Sequence, residues 1–147
     1  MDYEAVKAGF AQAIPFVRFL ELEFIELGPG SATVRLPERP ELTNHVGSQH
    51  AGSLFTAAEA ASGGAFVGTF AERLGDVTPL AKAARIDYEK IAKGPIDATG
   101  TLADADAALA TLDGEGKVEF QIDVELVDGD GNRVASATVD WHVRNNS

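Results

Sequence analysis

The segment Asn44–Phe66 reads NHVGSQHAGSLFTAAEAASGGAF and holds two histidines, an asparagine and one acid. From Ala51 to Ala71, Glu59 is the only residue with a formal charge. At helical spacing its neighbours are Phe55, Thr56, Ser62 and Gly63, none of them basic. A carboxylate buried in such a segment has its pKa raised by desolvation. It then suits proton abstraction or nucleophilic attack near neutral pH. The plain alternative is that Glu59 faces water on the helix's one open side.

Ala51 and Gly52 fall in the first turn of the same helix, where backbone amides lack intrahelical partners. The helix dipole concentrates partial positive charge there, and small side chains leave the amides reachable. Such a terminus polarises a carbonyl and stabilises an oxyanion. Asn44 is a candidate donor to the same oxygen, and His50 a candidate to fix the loop or touch the substrate. Ala51 and Glu59 are eight residues apart, roughly 12 Å along a helix. That is too far for both to act on one carbonyl within one chain. A two-fold partner removes the difficulty by bringing its own Glu59 to the first chain's helix start.

Other chemistries fit less well. His45, His50 and Glu59 suggest zinc, but the histidines are five apart in a loop, and His50 and Glu59 project to opposite sides of a helix. Ser48 and Ser53 lack the G-x-S-x-G context of a hydrolase elbow. Asp128–Asn132, DGDGN, resembles the start of a calcium loop, yet Arg133 and Val139 occupy the positions that need Gly and Glu. Asp-Gly between alternating segments predicts a hairpin turn instead. No metal or cofactor is expected.

The elements that must carry these residues follow from periodicity. Asp2–Ile14 reads as a helix, ended by Pro15. Leu20–Leu27 reads as a strand, GPGS at Gly28–Ser31 as a turn, and Ala32–Leu36 as a second strand. A loop from Pro37 through Gln49 leads to a long helix from His50 to about Leu74, stopped by Gly75. Further strands are expected at Leu80–Ile91 and Ile96–Ala103, with a short helical turn at Ala105–Leu112. Val118 to Leu126 and Ala135 to Val143 alternate cleanly. The order predicts an α+β fold, one domain over 1–147, with an antiparallel sheet wrapped around a central helix that is apolar nearly all round. Gly63 and Gly64 are expected where the sheet comes close. Phe55, Phe66, Phe70 and Trp141 line either a pocket or the core.

The chain has 147 residues, no cysteine and a net charge of −11. Disulfides and thiolate metal sites are excluded, and nucleic acid is disfavoured as a partner. No apolar run is long enough for a membrane span, and MDYEAVKAGF lacks the basic start and apolar block of a secretory signal. A cytoplasmic setting is expected. Four of twelve basic residues, Lys82, Arg85, Lys90 and Lys93, cluster within a dozen positions. They are read either as a solvated strand and turn or as contacts for an anionic ligand.

Taken together, Asn44, His50-Ala51-Gly52 and Glu59 resemble the motif of the hotdog-fold acyl-CoA thioesterases, in the phenylacetate-pathway branch. There an Asn is followed by His-Gly-Gly and then by an Asp on the central helix, at the spacings seen here. The resemblance implies a hotdog fold and a homodimer or homotetramer. It implies that the Ala51 amide polarises the thioester carbonyl, that Asn44 and His50 help position it, and that the partner's Glu59 serves as base or nucleophile. Gly52, Phe55 and Ser62 are expected against the substrate, and Lys82, Arg85 and Lys90 near the CoA phosphates. Three departures stand out: Ala51 replaces Gly, Glu59 replaces Asp, and Ala81 stands where relatives carry Ser or Thr, with Thr78 as a possible stand-in. They motivate a second expectation, a non-catalytic acyl-CoA carrier on the same fold. A hotdog dehydratase, which pairs its His and acid differently, and an oligomer without a ligand site complete the alternatives.

Overall fold

The computed structural model describes all 147 residues. Its first helix, α1 (Tyr3–Ala13), is capped by Asp2, whose side chain accepts the Ala5 amide. α1 ends ahead of Pro15, as expected, but this proline does more than stop a helix. It opens a second helix, α2 (Pro15–Leu20), because the missing N–H costs nothing at a first helical position. The strand expected from Leu20 therefore starts later, as β1 (Glu23–Gly28), paired with β2 (Ser31–Leu36).

The central helix α3 (Ala51–Thr69) runs for 19 residues. It stops before the expected Leu74, and one turn of 3-10 helix follows at Ala71–Arg73. The chain continues through β3 (Val77–Tyr88), β4 (Ile96–Thr101), α4 (Ala105–Glu115), β5 (Lys117–Val127) and β6 (Arg133–Asn145). The expected helical turn at Ala105 is a full helix, capped by Asp104 and closed by Gly116. The Asp128 carboxylate accepts the Asp130 and Asn132 amides, which makes DGDGN the turn of the β5–β6 hairpin. No helix is long and apolar enough to cross a membrane.

All six strands form one antiparallel sheet in the order β1-β2-β4-β5-β6-β3. It curves around α3, the hotdog arrangement. Val118, Ile122, Val124 and Leu126 of β5 and Ala135, Val139 and Val143 of β6 point inward and are buried. Phe66 stacks on Trp141 at 5.4 Å and on Phe70 at 5.1 Å, so these three aromatics belong to the core. Close approach is real but only partly where expected. A Cβ on Gly64 would lie 2.7 Å from that of Ala32, and one on Gly68 would lie 2.0 Å from the Gly28 carbonyl oxygen. Gly63 meets only the Phe10 ring, at 3.4 Å.

One edge of the sheet is left open. β3 has a single neighbour, β6, and is exposed along nearly its whole length. Its register places Pro79, Ala81, Ala84, Ile86 and Tyr88 opposite Val143, Trp141, Val139, Ala137 and Ala135. Those β3 residues therefore share the sheet's inner, apolar face. Pro79 is admitted because an edge strand can do without one ladder donor.

Candidate active site

The loop before α3 is held by hydrogen bonds that its sequence supplies. The Asn44 carbonyl Oδ1 accepts the Val46 and Ser48 amides, and Asn44 Nδ2 donates to Ser48 Oγ at 2.9 Å. Gly47, at φ +78°, takes the left-handed position this tight loop requires. Gln49, almost fully buried, donates through Nε2 to the carbonyls of Pro37 and Gly94, and its backbone N–H donates to Ala92. The Ser53 hydroxyl and the His50 amide both donate to the Leu42 carbonyl. The start of α3 is thus pinned to three neighbouring segments.

At that start the amides have unequal fates. His50 caps the helix, its Nδ1 accepting the Gly52 N–H at 2.8 Å. With Nδ1 accepting, the ring carries its one proton on Nε2 in this geometry. The Ala51 N–H has no acceptor within the chain, and Ala51 is exposed. Ala51, Leu54, Tyr88, Lys90 and Ile91 border an open cleft of about 370 Å³, whose floor includes Gln49. The Tyr88 hydroxyl reaches across it and donates to the Ala51 carbonyl at 3.0 Å. Sequence reasoning missed Tyr88, since one aromatic in an alternating strand carries no special signal.

Glu59 lies two turns further along the stripe of α3 that the sheet leaves uncovered, with Gly52, Phe55 and Thr56. It is partly buried, and nothing in the chain donates to its carboxylate. Desolvation alone raises its pKa above the ordinary glutamate range. Glu59 thus lies on the helix's open side, as the plain alternative has it, but is half-buried there. Its backbone carbonyl accepts from the Ser62 hydroxyl at 2.7 Å, which in turn lies 3.3 Å from the Trp141 indole N–H. Ser62 is completely buried, so it braces the turn that carries Glu59 and does not face a ligand.

The remaining expected site residues are dispersed. Lys82 pairs with Glu119 at 2.8 Å and Arg85 with Asp87 at 2.9 Å, both on the outer face of the sheet, away from α3. Only Lys90 of the three borders the cleft. Thr78 alternates with Ala81 and so points outward, donating to Asn146. It does not stand in for the absent hydroxyl. Asn44 lines the cleft beside Ala51 but spends its polar groups on its own loop. His45, His50 and Glu59 form no cluster of metal-ligand spacing.

Comparison with other proteins extends these findings. PA5026 of Pseudomonas aeruginosa, described as a protein of unknown function and a thioesterase candidate, superposes with a TM-score of 0.87 at 27% identity, covering 99% of this chain and 97% of that one. A mutant of the phenylacetic acid degradation protein PaaI from Thermus thermophilus shares the fold, with a TM-score of 0.69 at 23% identity over 88% of this chain and 98% of that one. A Saccharolobus solfataricus protein provisionally named esterase SSO2140 is 26% identical over 141 residues, 95% of this chain and 91% of its own. The model of DUF4442, a domain of unknown function, matches residues 3–143. The chain has the hotdog fold of the thioesterase superfamily and belongs to the DUF4442 family.

Proposed function

We propose that the protein is an acyl-CoA thioesterase acting in the cytoplasm as a homodimer, with each active site shared between two chains. The observation that carries this reading is a separated pair. An unpartnered amide at Ala51 and an unpartnered, desolvated carboxylate at Glu59 lie on one uncovered stripe, roughly 12 Å apart. The exposed β3 edge and its apolar inner face supply a surface for a second copy, by strand pairing across a two-fold axis. Relatives described as esterase and thioesterase candidates agree with the reaction class.

In this reading the thioester oxygen seats on the Ala51 N–H. The partner's Glu59 takes a proton from water as the oxygen of that water bonds to the carbonyl carbon. The negative charge moves to the carbonyl oxygen, where the amide and the helix dipole stabilise it. Collapse breaks the carbon–sulfur bond, and the departing thiolate takes the proton back from Glu59. The products are a carboxylic acid and CoA. Lys90, at the mouth of the cleft, is placed to meet a CoA phosphate.

A panel of CoA thioesters offered to wild type and to Glu59→Gln tests the reading. Turnover by wild type alone, with the variant still folded and still binding, supports it. Equal rates for the two contradict it. A second reading, a carrier that binds acyl-CoA without hydrolysis, is favoured by Ala81, which offers no hydroxyl to orient water, and by Thr78 facing outward. Saturable binding with hydrolysis at background would establish it.

A further inference from the structure

We propose that the Tyr88 hydroxyl is the second donor to the substrate's carbonyl oxygen, beside the Ala51 amide. This rests on the thioesterase reading and completes a site that is otherwise short of donors. Oxyanion stabilisation gains from donors converging on one point. Of the groups at this helix start, the Gly52 N–H is taken by His50 Nδ1 at 2.8 Å. Asn44 Nδ2 is taken by Ser48 Oγ at 2.9 Å. Ser53 is buried, its hydroxyl given to Leu42. His50 accepts at Nδ1, so its remaining proton is on Nε2, across the ring from the helix start. The backbone N–H groups of Ala51 and Ser53 have no acceptor in the chain, and of the two residues only Ala51 is exposed.

Tyr88 borders the same cleft as Ala51. Its hydroxyl lies 3.0 Å from the carbonyl oxygen of Ala51, the same residue whose amide is open. That carbonyl is already the acceptor position for an amide four residues on, so the helix does not need the phenol. The tyrosine is 49% exposed and is the last residue of an edge strand. Rotation about its side-chain torsions must swing the hydroxyl several ångströms, from the Ala51 carbonyl to an oxygen resting on the Ala51 N–H, which points the opposite way along the helix axis. It exchanges a neutral hydrogen bond for one to a developing negative charge, roughly twice as strong. Burial also pushes the phenol above the ordinary tyrosine value, so it remains a donor throughout the neutral range.

Tyr88→Phe isolates the hydroxyl, because the ring and its packing are kept. The expected result is a kcat lowered on the order of 100-fold, with KM within about twofold and the thermal midpoint and oligomeric state unchanged. A tyrosine that merely braces the helix start gives the reverse: a lowered midpoint with kcat intact. Glu59→Gln is run alongside. If it is inactive while Tyr88→Phe equals wild type, the tyrosine proposal is overturned and the thioesterase reading survives. If wild type hydrolyses no thioester, the parent reading fails. The tyrosine is then judged by calorimetric binding of a CoA ketone, in which a methylene replaces the thioester sulfur and the carbonyl remains. Binding weakened about tenfold in Tyr88→Phe, or some 1.4 kcal/mol, supports the donor role, and equal binding overturns it.

Discussion

The two halves of α3 are built for different ends. From Ala60 to Phe70 every residue is buried, and the sheet comes so near that Gly64 and Gly68 have no room for a methyl group. From Ala51 to Glu59 the same helix keeps an uncovered stripe, with one open amide and one unpaired acid. The sheet accounts for the contrast. β1, β2 and β4 close over one end of the helix, whereas the far strand, β3, is left without a neighbour on its outer edge. One half is the pillar of the core and the other keeps an uncovered face. Substitutions in the two halves should therefore separate stability from activity.

The largest separation is expected at Glu59. Glu59→Gln should lower kcat by about 10²- to 10⁴-fold, the usual worth of a positioned base, in a steady-state thioester assay. The same change should raise stability at neutral pH. Folding lifts the Glu59 pKa, so the native state binds more protons than the unfolded chain between the ordinary value, about 4.3, and the raised one. Stability is lost as pH rises through that window. Thermal melts should show the Gln variant above wild type at pH 7 and level with it below about pH 4. A variant that melts lower at pH 7 would mean that Glu59 is paired in the assembled protein.

Gly68→Ala should do the opposite. A methyl 2.0 Å from the Gly28 carbonyl must displace backbone, so overpacking of about 3 kcal/mol or more is expected from denaturant titration. Residual folded protein should keep its kcat. Ser62→Ala sits between the halves. It leaves the Trp141 indole without its buried acceptor and removes the brace on the Glu59 carbonyl. A loss of about 1–2 kcal/mol in stability should accompany a smaller fall in kcat. A fall in kcat with no loss of stability would place Ser62 in the chemistry rather than under it.

The contrast between the halves was partly legible in the residues. The solitary charge of Glu59 in an uncharged helix and the alternation of Val118–Leu126 and Ala135–Val143 reflect local periodicity, and they predict α3, β5 and β6. Pro15 misleads because the same residue ends one helix and opens another, and only the burial of Val17 and Leu20 decides between them. The overlong estimate for α3 follows from Val67, Phe70, Ala71 and Leu74, which continue the helical spacing of apolar residues past the helix end at Thr69. The commitment of Asn44 to Ser48, the burial of Ser62, the outward turn of Lys82 and Arg85, and the reach of Tyr88 to Ala51 depend on tertiary register. No spacing in the chain encodes them.

The central claim, one site from two chains, is tested most directly by mixing two inactive variants. Ala51→Pro deletes the open N–H at a first helical position, where proline is tolerated. His50, at φ −66° and ψ 144°, already has the extended backbone that precedes a proline. Ala51→Pro and Glu59→Gln should each be inactive as purified homodimers. After unfolding and refolding together in equal amounts, half of the dimers combine one chain of each kind, and each such dimer holds one intact amide facing one intact acid. Activity should return to about a quarter of the wild-type value per chain. No recovery, with mixed dimers verified by mass spectrometry, would contradict a shared site.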